Sequence, residues 1–202
     1  MRLTFRIRDL LVASWSIARE DAERLLPPGL EPATVDGRYL ISLVAMRQEA
    51  RPRHRQINIR TYVQDEGSDA VYFLLTRVTV PGLVGVLLGA PYGAARIAVE
   101  RGRVEAPGLG VSLRYRVTEE TSPGAIGLHE TGLFGRSRLR SVRISRAPTV
   151  WRRADLDGPP RADPIVSYGF PVEEPKLLYA EKTVLVLDGR PKRGKIPGGE
   201  PV

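Results

Sequence analysis

The sequence predicts a single β-rich domain, a barrel or a closed sandwich, with a few short helices covering one end. Three observations lead to this fold class. Many segments alternate apolar and polar residues with the period of two that is typical of strands. Only short stretches have a helical pattern. No repeat or linker divides the 202 residues, a length that suits one domain.

The first half of the chain predicts one helix followed by strands. "WSIAREDAERLLPPGLEP" predicts a short helix that ends at Pro27, because proline cannot continue a helix. The Asp36-Gly37 turn leads into the strand-like "RYLISLVAMR". "QINIRTYVQD" and "AVYFLLTRVTV" predict a hairpin. "PGLVGVLLGAPYG" predicts either a short buried helix or an apolar loop.

The second half predicts further strands and a tail. "ARIAVERGRVEAP", "GVSLRYRVTEE", "RLRSVRISR" and "KLLYAEKTVLVLD" have strand patterns, whereas "PTVWRRADL" predicts one helical turn. The domain is therefore expected to span residues 1–188. Residues 189–202 are rich in glycine, proline and basic residues and are predicted to be a disordered basic tail.

Composition and charge restrict the location and the partners. The net charge is +8, but the arginines are scattered through predicted strands, which disfavours a nucleic-acid partner. The chain has no cysteine, no apolar run of about 18 residues and no apolar core of a signal peptide. We therefore expect a cytoplasmic protein with no disulfide and no membrane partner.

The common catalytic and cofactor motifs are absent. There is no GxGxxG, no P-loop and no HExxH. A zinc site without cysteines would need both histidines, His54 and His129, and the arginines around His54 would repel a cation. The sequence therefore predicts no metal and no cofactor.

The strand "INIRTYVQD" raises the main functional question. Ile57 and Ile59 share one face, and Asn58, Arg60 and Tyr62 share the other, because successive side chains of a strand point to opposite faces. The polar face lies either in bulk water or in a pocket.

Several segments resemble one known family. "LLPPGLE" with the following Asp-Gly, "INIRTYV", "GAPYG" and "LHETGLF" resemble DUF2071, the YqjF-like proteins, over roughly residues 10–188. That uncharacterised family is similar in fold to acetoacetate decarboxylase. The resemblance implies a mainly β (α+β) protein, a closed acetoacetate decarboxylase-like β-barrel with a central cavity. It implies no known reaction.

The chain departs from the decarboxylases at their lysine pair, one member of which forms a Schiff base. The positions that match this pair are Tyr92 and Gly93, and neither carries an amine. The four lysines all lie at or after residue 176. Lys182 could point inward, but nothing positions a second cation beside it. The departure argues against a Schiff-base decarboxylase.

Within such a barrel, a buried Arg60 needs a partner, which is either Glu130 or an anionic ligand. We expect Arg60 to anchor a small organic ligand, most simply a carboxylate. The other candidate ligand-binding residues are Asn58, Tyr62, Tyr92, His129 and Glu130. Glu130 matches a glutamate of the family, and His129 precedes it.

Two other functions stay open at this point, and so does the question of whether the protein is an enzyme. One is a lyase that uses Glu130 or His129 as a general acid or base. The other is a protein that binds nucleic acid or another polyanion through its arginine-rich surface. The apolar "PGLVGVLL" would suit the interface of a homo-oligomer.

Overall fold

The computed structural model describes residues 2–49, 53–65, 68–79, 92–124, 131–135, 140–170 and 174–193. Its strands are β1 (Arg2–Ile17), β2 (Tyr39–Gln48), β3 (His54–Asp65), β4 (Ser68–Val78), β5 (Tyr92–Ala94), β6 (Ala98–Glu100), β7 (Arg103–Ala106), β8 (Val111–Thr121), β9 (Thr131–Phe134), β10 (Arg140–Arg146), β11 (Trp151–Leu156), β12 (Arg161–Ala162) and β13 (Lys176–Arg193). Its helices are α1 (Arg19–Leu25), α2 (Asp163–Ser167) and a 3-10 turn (Pro107–Leu109). None of these helices is long and apolar enough to cross a membrane.

Seven strands form a closed barrel. Strands β1, β2, β3, β4, β9, β10 and β13 are hydrogen-bonded in this order, and β13 returns to pair with β1. The closing pair runs from Arg2 opposite Asp188 to Ser14 opposite Lys176. The β4–β9 pair is parallel, and the other neighbours in the ring are antiparallel. The predicted fold class, a mainly β protein with a closed barrel and short helices, is confirmed.

A smaller outer sheet covers one side of the barrel. Strand β11 pairs with both β13 and β8, and β8 continues through β7 to β6. The apolar cluster between the two layers contains Leu43, Ile57 and Ile59 of the barrel and Val104 and Leu113 of the outer sheet. The wall formed by β2 and β3 is therefore buried on its outer face as well as its inner face.

The structure confirms the predicted helix and hairpin. Helix α1 ends at Leu25, two residues before Pro27. Strands β3 and β4 pair antiparallel from Gln56 opposite Val78 to Asp65 opposite Ser68.

Two local predictions are wrong. "WRRADL" forms strand β11 rather than a helical turn, because pairing with β8 and β13 satisfies its backbone groups on both sides. The tail predicted to begin at residue 189 is strand up to Arg193, because Ser141 and Arg140 of β10 pair with Lys192 and Arg193. The rest of the tail, residues 194–202, and the apolar segment 81–88 lie outside the described residues.

A bulge in β1 depends on Asp9. Asp9 has a positive φ of 50°, and the pairing of β1 with β2 shifts register between Arg8 and Leu11. The Asp9 carboxylate is buried, accepts a 2.8 Å hydrogen bond from the Tyr179 hydroxyl, and lies 2.8 Å from Nη2 of Arg47. These two contacts hold the extra residue of β1 in place where this strand pairs with β2.

We expect Asp9→Ala to lower the free energy of unfolding by about 2–4 kcal/mol, because it leaves a buried hydroxyl and a guanidinium without their shared acceptor. Tyr179→Phe removes only one donor and should cost about 1 kcal/mol. Urea unfolding would measure whether Asp9→Ala loses more stability than Tyr179→Phe. The exposed Glu181→Ala is the control. An Asp9→Ala protein as stable as the control would contradict the role of this carboxylate.

Candidate functional site

The interior of the barrel contains a cavity of about 370 Å³. This volume is within the range of pockets that hold small organic ligands. Much of its wall is apolar and comes from β1, β10 and β13: Phe5, Ile7, Val142, Ile144, Leu185 and Leu187. Strand β3 supplies a polar row: His54, Gln56, Asn58 and Arg60. On the polar face of "INIRTYVQD", Asn58 and Arg60 therefore line a cavity and do not face bulk water.

Arg60 contacts the ring of Tyr62, and the hydroxyl of Tyr62 is in turn hydrogen-bonded to a pair of serines. Its side chain is on the cavity wall, yet the residue is only 8% exposed. Nη2 of Arg60 donates a 3.4 Å hydrogen bond to the Tyr62 hydroxyl, and Cζ lies 5.5 Å from the centre of that ring. The Tyr62 hydroxyl lies 2.9 Å from Oγ of Ser42, which lies 2.8 Å from Oγ of Ser14. This buried chain of hydroxyls orients Tyr62 and, through it, Arg60.

A second guanidinium shares the cavity. Arg146 at the end of β10 also lines the wall, with Cζ 5.2 Å from the centre of the Trp151 ring. Burial, and after it the positive charge of Arg60, lower the pKa of Arg146 to about 10, against an opposing effect of Tyr62. Arg146 is still protonated at neutral pH, so the cavity holds two cations near each other.

Strand β5 brings Tyr92 and Gly93 beside Arg77 of β4. Burial raises the pKa of Tyr92 to about 12, so its phenol remains protonated and can donate a hydrogen bond. Gly93 is in close contact with Arg77: a Cβ at position 93 would lie 2.8 Å from Cδ, Nε and Cζ of the arginine. Arg77 therefore occupies the space that a side chain at position 93 would need.

The structure brings part of the predicted set together. Three candidates are in the cavity wall: Asn58, Arg60 and Tyr92. Tyr62 is fully buried behind Arg60 and supports it rather than lining the cavity. His129 and Glu130 lie outside the described residues.

Sequence reasoning missed Arg146, Gln56 and His54 as wall residues. The signal for Arg146 was available, because Val142, Ile144 and Arg146 alternate along one face of a predicted strand, as Asn58 and Arg60 do. What the pattern lacks is the information that this face points inward.

The described lysine side chains are on the surface. Lys182 is exposed, so the inward orientation considered for it is wrong, and the exposed Lys176 lies 3.8 Å from Asp36. Among the described residues, no group of three histidine or carboxylate side chains is arranged to hold a metal ion.

Solved structures with this architecture are acetoacetate decarboxylase-like proteins. The enduracididine biosynthesis enzyme MppR, complexed with pyruvate, has a TM-score of 0.68 and 17% identity, covering 96% of this chain and 90% of its own. An acetoacetate decarboxylase-like enzyme from Sphingomonas wittichii RW1 has a TM-score of 0.65 and 14% identity, with coverages of 95% and 93%. Acetoacetate decarboxylase from Legionella pneumophila has a TM-score of 0.66 and 11% identity, with coverages of 95% and 87%. At these identities the likeness shows the fold alone.

The closed barrel and these structural neighbours thus define an acetoacetate decarboxylase-like fold. The model of the DUF2071 family, described as an uncharacterized conserved protein, matches residues 4–156. The chain belongs to DUF2071, as its sequence motifs indicated. No curated protein matches the chain.

We expect Arg146→Met to raise the free energy of unfolding at neutral pH by about 1–3 kcal/mol. The reason is that burial and the charge of Arg60 both disfavour the protonated guanidinium, whereas methionine fills similar space without a charge. Chemical unfolding would measure the change against Arg116→Met, an exposed control on the outer sheet. Loss of stability in Arg146→Met would show that this arginine supports the fold rather than a ligand.

Proposed function

We propose that the barrel cavity binds a small organic acid whose carboxylate is held by Arg60, with Arg146 as a second cation. The observation that carries this proposal is the position of Arg60, which is nearly buried and yet on the wall of a ligand-sized cavity. A buried charge is costly, and proteins retain one where it pairs with another charged group or serves a function.

The charge of the cavity favours an anion. The charged side chains among its described wall residues are Arg60, Arg77 and Arg146, and none of those wall residues is acidic. A guanidinium offers a planar fork of donors that matches the two oxygens of a carboxylate. The apolar side chains in the wall lower the local dielectric, which strengthens this attraction.

The rest of the wall favours an organic body on that anion. Apolar side chains of β1, β10 and β13 would contact hydrocarbon. On β3, Nε2 of Gln56 donates a 2.9 Å hydrogen bond to Oδ1 of Asn58, which leaves the other polar atoms of this amide pair for a ligand. The protonated phenol of Tyr92 adds a donor suited to a carbonyl or hydroxyl oxygen.

A protein of the same fold provides independent support. The MppR structure contains pyruvate, a small keto acid, and it covers 96% of this chain. A carboxylate of this class is a reasonable first probe for the present cavity.

Binding through arginine, rather than Schiff-base decarboxylation, is the chemistry that the cavity supports. By the resemblance to the decarboxylases, Tyr92 and Gly93 match the positions of the lysine pair, and Arg77 fills the space beside Gly93. An arginine can hold a carboxylate, but it stays protonated and does not form a Schiff base.

The polyanion alternative is less well supported. Several exposed arginines are already paired with carboxylates, as in Arg152 with Glu120 and Arg161 with Asp163. Such pairs reduce the positive field that a nucleic acid would meet.

In a thermal-shift screen of keto, hydroxy and aromatic acids, we expect a bound acid at a hundred times its Kd to raise Tm by about 5–10 °C. The Arg60→Met variant should lose this shift, because it retains the side-chain volume but not the charge. Arg116→Met is the control and should retain it. Equal shifts in Arg60→Met, or equal shifts with the neutral amides of the same acids, would refute the carboxylate anchor.

Borohydride treatment in the presence of pyruvate or acetoacetate is expected to leave the protein without a covalent adduct, as measured by intact mass. An acetoacetate decarboxylase treated in parallel would show that trapping works. A lysine adduct in this protein would replace the binding proposal with Schiff-base chemistry.

A further inference from the structure

A second, strongly basic groove opens at the end of the barrel where β2 ends and β3 begins. We call it the rim groove. It is lined by Arg6, Arg47, Gln48, Glu49, Arg53, His54 and Arg55. Gln48 and His54 also line the interior cavity. The two spaces therefore share these side chains as a common boundary.

Two ion pairs neutralise part of the charge around the rim groove. Nε of Arg8 lies 2.7 Å from Oε1 of Glu49, and Nη2 of Arg47 lies 2.8 Å from Oδ2 of Asp9. The acidic residue of the groove and one of its arginines are therefore already paired.

No described carboxylate neutralises the charge of the other three arginines of the rim groove. In the part of the chain that the structure describes, Arg6, Arg53 and Arg55 form no ion pair with a carboxylate. Nε of Arg55 is buried and has no hydrogen-bond partner there. Three cations in one concave site, one of them with an unused buried donor, are suited to binding an anionic group.

The distance along β3 determines the kind of molecule that could use both sites. His54, on the boundary of the rim groove, and Arg60 lie on the same face of β3 and are six residues apart, which is about 20 Å along a strand. Between these ends, the cavity wall includes Phe5, Ile7 and Met46. A molecule of the size of pyruvate could not reach from Arg60 to the rim groove, but an elongated one could.

We propose that the ligand is an elongated dianion. One carboxylate binds at Arg60, an apolar chain lies in the cavity, and a second anionic group, a carboxylate or a phosphate, binds in the rim groove at Arg6, Arg53 and Arg55. This inference rests on the proposed function for its inner end, and the rim groove supplies its outer end.

The affinity of a dianion relative to that of a monocarboxylate tests whether the rim groove binds a second anionic group. Without a rim subsite, a second charge on an aliphatic acid would lose hydration at an apolar wall and bind more weakly. With the subsite, it would gain charge-assisted hydrogen bonds, and we expect about tenfold tighter binding. Titration calorimetry of decanoate, decanedioate and 10-phosphonodecanoate makes this comparison at one chain length, and its last two arms distinguish carboxylate from phosphate chemistry.

Three variants separate the two ends of the site. The double variant Arg6→Ser, Arg53→Ser changes two exposed side chains. It should bind decanoate as the wild type does and lose the preference for the dianions. Arg116→Ser removes an exposed positive charge from the outer sheet and should change neither. Arg60→Met should weaken all three probes.

Each outcome addresses one proposal. Equal or weaker binding of both dianions by the wild type, or a preference that survives in the rim double variant, overturns the dianion inference. So does an equal loss of preference in Arg116→Ser, which would indicate general electrostatic attraction. Decanoate binding that is unchanged in Arg60→Met overturns the inner anchor, and with it the proposed function, whatever the rim variant does.

Discussion

The pairing of β1 with β13 is the constraint on which the other features of this protein depend. It joins the first and last strands over most of their length and converts an open sheet into a ring. A closed ring has an inside, and only then does the alternation of side chains along a strand separate a cavity from an outer surface. The bulge at Asp9 lies in the same first strand and shifts its pairing with β2, whereas the pairing of β1 with β13 keeps one register throughout. It changes the inward positions of β1 from Phe5 and Ile7 to Leu10 and Val12.

The barrel accommodates buried cations by surrounding them with polarizable and polar groups. Arg60 lies over the ring of Tyr62, and Arg146 lies over the ring of Trp151. Aromatic faces attract guanidinium groups, and the serine hydroxyls behind Tyr62 keep its ring in place. Such an arrangement costs stability relative to an apolar core, and the cost is consistent with selection for binding rather than for folding alone.

The cavity illustrates how one barrel fold can carry different chemistry. In this chain, Tyr92 and Gly93 follow the Gly-x-Pro sequence directly. The absence of a side chain at Gly93 makes room for Arg77. The permanently charged guanidinium of Arg77 beside Gly93 is suited to recognition of an anion and is not suited to covalent attack on a carbonyl.

The sequence by itself determined most of the strands, the short helix before Pro27, the family, and the division of β3 into an Ile57 face and an Arg60 face. These follow from local properties: the period of two, the fixed φ of proline and short motifs. Only the tertiary structure decided that both faces of β3 are buried, one by the outer sheet and the other by the ring. It also decided that "WRRADL" is a strand and that Arg146 joins Arg60 in one cavity. The physical reason is that these outcomes depend on pairing between strands far apart in the chain, and a local pattern carries no information about its distant partner.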